Sequence, residues 1–507
     1  MITPYHGVME PFRLRSNVIF FHDWRYVHHG DTGWVTGDGS WLGLWSPKPV
    51  PPLRWKGGNI PRGIRLRTIQ PEVLGSIVVP DRPWEAIIFA PSLIEEDGVL
   101  RLWYESIPPE DLSSGAAGHR NLLCYAESRD GVTWEKPSLG IRDFNGSREN
   151  NIVFGGDMRY GYHGSSVFVD PSCPPGEKFK LVYLGFMGDD DYAKIREGRS
   201  NEVDPNTERG KNHATVFGAT SPDGFHWKSL PVPLVWQSSD TQNVAYYDEF
   251  LGKYVIYLRT WVLRRRAIGR TESESFSSFQ LPETIVWPGP DVGPSDLWYS
   301  NGKTTYPGAP DYHFMFAKRW KVAEDVFYTH LATSPDGIMW GFPPENQVLS
   351  PGRECWNAGG FDVGPGMVEL PGNGVGVPII GWSLPHKHTR AKPLGNVGIA
   401  RWERDRIVGL RADEVGEFRT SYVIFDGDVA KLNFRTDPVG EIRMGILYKG
   451  KYLEGRTLED CDPVSGDSHD RTVTWNGEGG IPREPKDPVA FKIKMDHAEI
   501  FSVRFGN

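Results

Sequence analysis

The chain has 507 residues, 39% of them hydrophobic and 24% charged, and carries a formal net charge of −9. That length exceeds one ordinary core, so two or three domains, or a repeat domain with appendages, are expected. The acidic balance argues against a nucleic-acid partner, which needs a basic face for its phosphates. No uncharged apolar run of about 18 residues is present, so no membrane span is expected.

With 58 Gly, 41 Pro and 19 Trp and few long helical patterns, the composition points to an all-β protein of short strands. Cys124, Cys173, Cys355 and Cys461 are scattered without CxxC spacing and read as free thiols. The first residues lack the basic start and apolar stretch of a secretion signal, so a cytoplasmic location is expected.

In chain order, residues 1–77 contain one strand-like stretch, NVIFFHDW, and read as an arm that covers or closes the repeat region after it. Residues 78–410 are organised by a repeat: SRDGVTW from Ser128, SPDGFHW from Ser221 and SPDGIMW from Ser334. Asp-Gly supplies the positive φ of a tight turn, and the Trp beyond it can pack back on a neighbouring sheet. A degenerate copy, RTESESFSSF from Arg270, fills the longer gap between the second and third. Apolar runs precede each turn, as in AIIFAPSLI, VLRLWYES and NLLCYAES. A fifth set, GPGMVEL, GVPIIGW and NVGIARW, has no such turn. Five sheets of about four strands, closed in a ring, make a five-bladed β-propeller. Residues 411–507 alternate differently, as in AKLNFR, IRMGILY and VAFKIKM, and predict a C-terminal β-sandwich.

These turns, the five blades and the trailing domain together resemble the five-bladed glycosidases of the invertase/levanase and arabinanase/xylosidase type. YAESRDGVTWEKPSLG, DFNGSRENNIVF and LEDCDPVSGD look like bacterial proteins grouped with the invertase-type relatives. The resemblance implies action on carbohydrate. The Asn-Asp-Pro-Asn-Gly, Arg-Asp-Pro and Glu-Cys segments of the invertase family are missing from the matching blades, so no catalytic residue carries over.

Position must therefore select candidates. Leading ends of innermost strands converge on the axis of a propeller, and a glycosidase needs one protonated and one ionised carboxyl. Glu85, Asp240 and Asp296 are the expected catalytic carboxyls, with Glu85 and Asp240 as the leading pair and Glu85 at the funnel rim. Trp84, Trp298 and Trp356 are candidate platforms for a sugar face. The amides of Gln242 and Asn243, with His163 and Arg259, are candidate hydroxyl or anion ligands. Glu354 and Asp362 lie in a Gly-rich loop, His386 and His388 at the funnel mouth, and Arg264 to Arg266 on a solvated hairpin.

Hydrolysis of a glycosidic bond, with furanose favoured by the resemblance, is the leading expectation. Phosphorolysis on a similar fold, with Arg259, the Arg264 cluster and the histidines as anion ligands, is the alternative. A carbohydrate-binding propeller without catalysis is the third. No cofactor is required; a calcium ion on the axis is compatible, but no ligand spacing announces one. The oligomeric state is not legible.

Overall fold

Each S-x-D-G-x-x-W copy closes on itself in the same way. Ser128 Oγ accepts from Gly131 N at 2.9 Å, Asp130 Oδ1 accepts from Val132 N at 2.8 Å and Thr133 N at 2.7 Å, and Trp134 Nε1 donates to Gly131 O at 3.2 Å. The Ser221 and Ser334 copies repeat this pattern. Such local bonds satisfy the turn's own N–H groups, so seven residues suffice to specify it. The three turns therefore occupy equivalent places in their blades.

The computed structural model describes residues 11–30, 33–35, 40–43, 60–114, 120–156, 158–197, 203–208, 213–387 and 395–506. Among them the chain divides into two compact units, one within Met1–Ile69, Pro343–Glu345 and Arg404–Asn507, the other within Gln70–Phe342 and Asn346–Glu403.

The second unit holds five antiparallel sheets. Blade 1 runs outward through Ile87–Glu96, Val99–Ile107, Leu122–Ser128 and Ile152–Gly155. Blade 2 comprises His163–Val169, Phe179–Met187, His213–Ser221 and Lys228–Ser229; blade 3, Val244–Asp248, Lys253–Val262, Arg265–Ser273 and Glu283–Val286. In blade 4 the inner strand is broken into Asp296–Ser300 and Lys303–Tyr306, both paired with Ala309–Lys321, followed by Val326–Ser334 and Gln347–Leu349. Blade 5 takes Gly360–Val363 and Val368–Leu370, then Gly374–Trp382 and Gly395–Glu403, and its outermost strand is Glu72–Val78, from the beginning of the chain. Covering the last edge with a strand from the other terminus removes an unpaired ladder.

Inner strands are stitched around the axis. Ser92 Oγ of blade 1 accepts from Val167 N of blade 2, Ser166 Oγ of blade 2 from Ala245 N of blade 3, and Thr304 Oγ1 of blade 4 from Met367 N of blade 5. Leu93 N donates to Pro365 O, joining blade 5 to blade 1, and the Lys303 ammonium lies over the Tyr246 ring between blades 3 and 4. Farther out, the repeat turns clasp the preceding blade. Trp103 Nε1 and Arg101 Nη2 of blade 1 donate to Gly224 O and Asp223 O at 2.9 and 2.6 Å, and Tyr257 Oη of blade 3 donates to Gly337 O at 2.6 Å. Where blade 3 lacks the motif, Phe276 packs on Phe168 of blade 2 instead.

The clasp has a measurable consequence. Gly224 has φ +81°, and a Cβ there would stand 2.6 Å from the Trp103 ring. Left-handed backbone and overpacking each cost a β-branched residue about 1–2 kcal/mol. Gly224→Val is expected to lower the urea midpoint clearly more than Gly98→Val, whose Cβ would meet nothing within 4 Å at φ +74°. Equal effects would show that the clasp contributes nothing.

The first unit differs from the expected sandwich. Val18–Phe20, Arg65–Thr68, Val408–Arg419, Val429–Tyr448, Lys451–Tyr452, Asp467–Thr472 and Ala490–Gly506 form one hydrogen-bonded sheet, not two separate ones. Its long strands break register together, at Ala412/Val415 and Thr436/Glu441, opposite His497 with φ 44°. Phe491 and Phe505 share a strand, yet their ring centroids are 5.3 Å apart, where straight strand would separate them by roughly 45 Å. The sheet is thus folded on itself at the shared bulges, and strands pass from one half to the other. The boundary falls at Glu403/Arg404 rather than at 410/411.

Candidate functional site

Strand alternation and the meeting of five blades create one continuous polar chain. It begins with Glu105 on the second strand of blade 1. This carboxylate is fully buried, accepts from Asn121 Nδ2 at 2.6 Å and Gly164 N at 2.7 Å, and lies 2.8 Å from His163 Nδ1. An ionised carboxylate only accepts, so Nδ1 carries the proton. Gly164, at φ +61°, leaves no room for a Cβ, which would fall 2.2 Å from Thr241 O, and so lets its N–H reach Glu105.

His163 Nε2 then lies 3.1 Å from Asp240 Oδ1. Burial works against a charged imidazole, but the Glu105 and Asp240 carboxylates outweigh it and raise its pKa to about 10. Burial would raise the Asp240 pKa, yet the His163 hydrogen bond and the Arg259 and Arg266 charges hold it well below the usual carboxylate range. Asp240 nevertheless keeps 56% of its side-chain surface open. Arg259 Nη1 donates to Asp240 O at 3.2 Å and stands 3.7 Å from Oδ2.

Blades 4 and 5 complete the chain. The Arg266 guanidinium stacks 4.2 Å above the Tyr299 ring, and Lys318 Nζ lies 4.3 Å from the same ring. Lys318 is ion-paired with Asp362, whose other oxygen accepts from Ser300 Oγ at 2.8 Å. Burial lowers the Lys318 pKa against the pull of Asp362. The His386 ring packs edge-on to Tyr299 at 5.0 Å. Trp261, 49% exposed, is flanked by Arg259 and Arg266 at 5.3 and 5.8 Å.

The structure thus brings together His163, Asp240, Arg259, Asp362 and His386 from the sequence candidates. Others are elsewhere. Glu85 is not at a rim: its side chain has no exposed surface, because Lys136 Nζ at 2.6 Å and Tyr104 Oη at 2.6 Å enclose it. Asp296 is held by Arg319, and Asp81, not another funnel acid, shares Lys136 with Glu85. Trp84 is buried and donates to Asn151 Oδ1 at 3.0 Å; Trp298 is buried against Phe342. These two rings pack blades and offer no face to a sugar. Gln242 Nε2 donates to Pro91 O and Ser165 O, and Asn243 Nδ2 to Gly164 O, so both amides tie inner strands to each other. Trp356 lies across Gly381 and Gly398 of blade 5 with its Nε1 on Glu354, beside the outermost strand. His388 lies outside the described residues.

Sequence reasoning missed Glu105, Trp261 and Lys318, and offered Arg266 only with the Arg264 cluster as an anion ligand of the alternative reading. An acid late in the strand-like run VLRLWYESI, whose only other charged residue is Arg101, was the available signal for Glu105. Arg266 was hidden in a run taken as solvated. Its neighbour Arg265 turns to the other face and donates to Pro288 O and Gly293 O, as the two-residue period of a strand requires. Among the described residues, no group of three or more His, Cys, Asp or Glu gathers as a metal site.

The charged imidazole makes stability depend on pH. The His163 pKa is raised in the folded state, so its charge contributes stability fully below about pH 6.5 and loses it as pH rises towards about 10. The stability gap between the native chain and His163→Gln is expected to shrink across that window in urea titrations. A gap that widened with pH would contradict the charged imidazole.

No protein-family profile matches the chain, and no curated protein matches it. Solved structures do. A GH32 β-fructofuranosidase from Bombyx mori aligns over 86% of this chain and 94% of its own, at 11% identity and a TM-score of 0.42. The α-L-arabinofuranosidase of Podospora anserina, solved with cellotriose, aligns over 66% and 98%, at 13% identity and 0.41. An N-acetylgalactosamine deacetylase from F. plautii, in complex with blood group B trisaccharide, aligns over 68% and 96%, at 14% identity and 0.41. The site itself rests on this chain's own geometry.

Proposed function

We propose that the chain is a glycoside hydrolase whose chemistry runs between Asp240 and Asp362, two carboxylates whose charges both act on Tyr299. The observation that carries the reading is Asp240: an open carboxylate, held ionised by His163 and Arg259 at the centre of a five-blade polar chain. A carboxylate that stays charged is free to take the proton of a water attacking an anomeric carbon. The opposite role needs a proton. Lys318, buried and reduced in its hold on its proton, is paired with Asp362 and can return a proton through it to the leaving glycosidic oxygen. The glycosidic C–O bond breaks, hydroxide from water joins the anomeric carbon, and the proton left by the water goes to Asp240. Trp261 supplies the exposed ring on which a sugar face can stack.

Furanose-containing substrates are favoured by the sequence resemblance to invertase-type and arabinanase-type enzymes. The test is release of reducing sugar from a panel of fructo- and arabinofuranosides and common pyranosides, with Asp240→Asn/Asp362→Asn as the control for contaminating activity. Cleavage by the native chain and not by the double variant is expected. Equal release by both, or none by either across the panel, would overturn the reading.

A further inference from the structure

Charges along the polar chain do not balance. Glu105 offsets His163, and Asp362 offsets Lys318. Asp240 is then left with two guanidiniums acting on it, Arg259 at 3.7 Å and Arg266, which shares the Trp261 ring with Arg259. The Arg259 side chain is only 8% exposed. Its Nε, and Nη1 of Arg266, are buried and have no protein acceptor among the described residues. A buried guanidinium N–H without an acceptor is costly, and a guanidinium fork matches an oxyanion better than it matches a neutral hydroxyl.

The register explains why two such groups converge. Trp261 stands directly opposite Arg266 across the Lys253–Val262 and Arg265–Ser273 pair, and Arg259 is two residues before Trp261, so all three share one face of blade 3. That face also carries the half-exposed ring and borders the open Asp240 carboxylate. The like charges of Arg259 and Arg266 act on one another there, which an arriving anion relieves.

We infer that Arg259 and Arg266, both beside Trp261 on one face of blade 3, form an oxyanion subsite of the funnel. It takes a carboxylate borne by a sugar residue, or free phosphate brought in beside the sugar. The inference rests on the proposed carbohydrate site and narrows its substrate class to one that presents an oxyanion next to Asp240.

Calorimetric titration of the full chain with sodium galacturonate, galactose and sodium phosphate, each against sodium chloride at matched ionic strength, tests it. At least one oxyanion is expected to bind about tenfold or more tighter than galactose and chloride. That advantage should vanish in Arg266→Met and in Arg259→Lys, with thermal midpoints checked for both, and persist in Arg264→Met, an exposed neighbour on the same hairpin. Galacturonate binding alone assigns the subsite to an acidic sugar, and phosphate binding alone to free phosphate. No preference over chloride, or a preference that Arg266→Met and Arg259→Lys both retain, overturns the inference. The hydrolysis panel separates the two claims: cleavage of neutral glycosides without anion binding leaves the hydrolase reading standing and removes the subsite, and anion binding without cleavage does the reverse.

Discussion

Asp240→Asn is expected to lose at least about 10²-fold in turnover on a cleaved glycoside, the lower end of the usual general acid–base contribution, with its unfolding midpoint close to that of the native chain. Stability should survive because the substituted group is more than half exposed and its partners keep other bonds: His163 retains Glu105, and Arg259 Nη1 retains the Asp240 carbonyl. The amide removes ionisation and preserves shape, so the variant isolates the charge. Its companion is Glu85→Gln, where the carboxyl is sealed from the funnel and turnover per folded molecule should stay near native. Steady-state kinetics on both variants decides. Near-native turnover for Asp240→Asn together with a collapse for Glu85→Gln would return the chemistry to the first blade and sink the assignment to Asp240.

The largest expected effect on stability lies at that same sealed carboxylate. Lys136 donates to Glu85 at 2.6 Å, to Asp81 at 2.7 Å and to the Val79 carbonyl at 2.7 Å, and its ammonium lies over the Tyr104 ring. Glu85 in turn accepts from Tyr104 Oη and from the backbone N–H groups of Asp81 and Arg82. Lys136→Met leaves the Glu85 carboxyl enclosed with its cation gone, a change that costs about 3–5 kcal/mol in buried pairs. The propeller's urea transition should shift accordingly, with turnover per folded molecule unchanged. A shift worth less than about 1 kcal/mol would show that the pair behaves as a surface ion pair, and would reopen the question of what Glu85 is for.

The contrast between Glu85 and Glu105 shows where legibility in the sequence stops. Both are acids at the ends of blade 1 strands, and the one preceded by Pro-Trp looked like the rim residue. The inner strand of that blade is irregular between Phe89 and Ser92, with Ala90 at φ 47°. A single such irregularity changes which side chains face which way. Glu85's partner lies on the connection after the third strand, and Glu105's partners come from blades 1 and 2. Nothing local to either acid announces those meetings.

What the sequence determined by itself was whatever interactions within a few residues specify. The S-x-D-G-x-x-W turns satisfy their own N–H groups from Ser and Asp side chains, and the apolar runs between them count out the strands of five blades. Tertiary structure alone decided the rest. The Glu72–Val78 strand becomes the edge of blade 5 through pairing with Gly395–Glu403, and the C-terminal sheet folds over at bulges that three strands share. Arg266 turns inward while Arg265 does not. The funnel chain from Glu105 to Asp362 exists only because five blades meet on one axis, and the charges that give Asp240 its character come from residues brought together by closure of the ring.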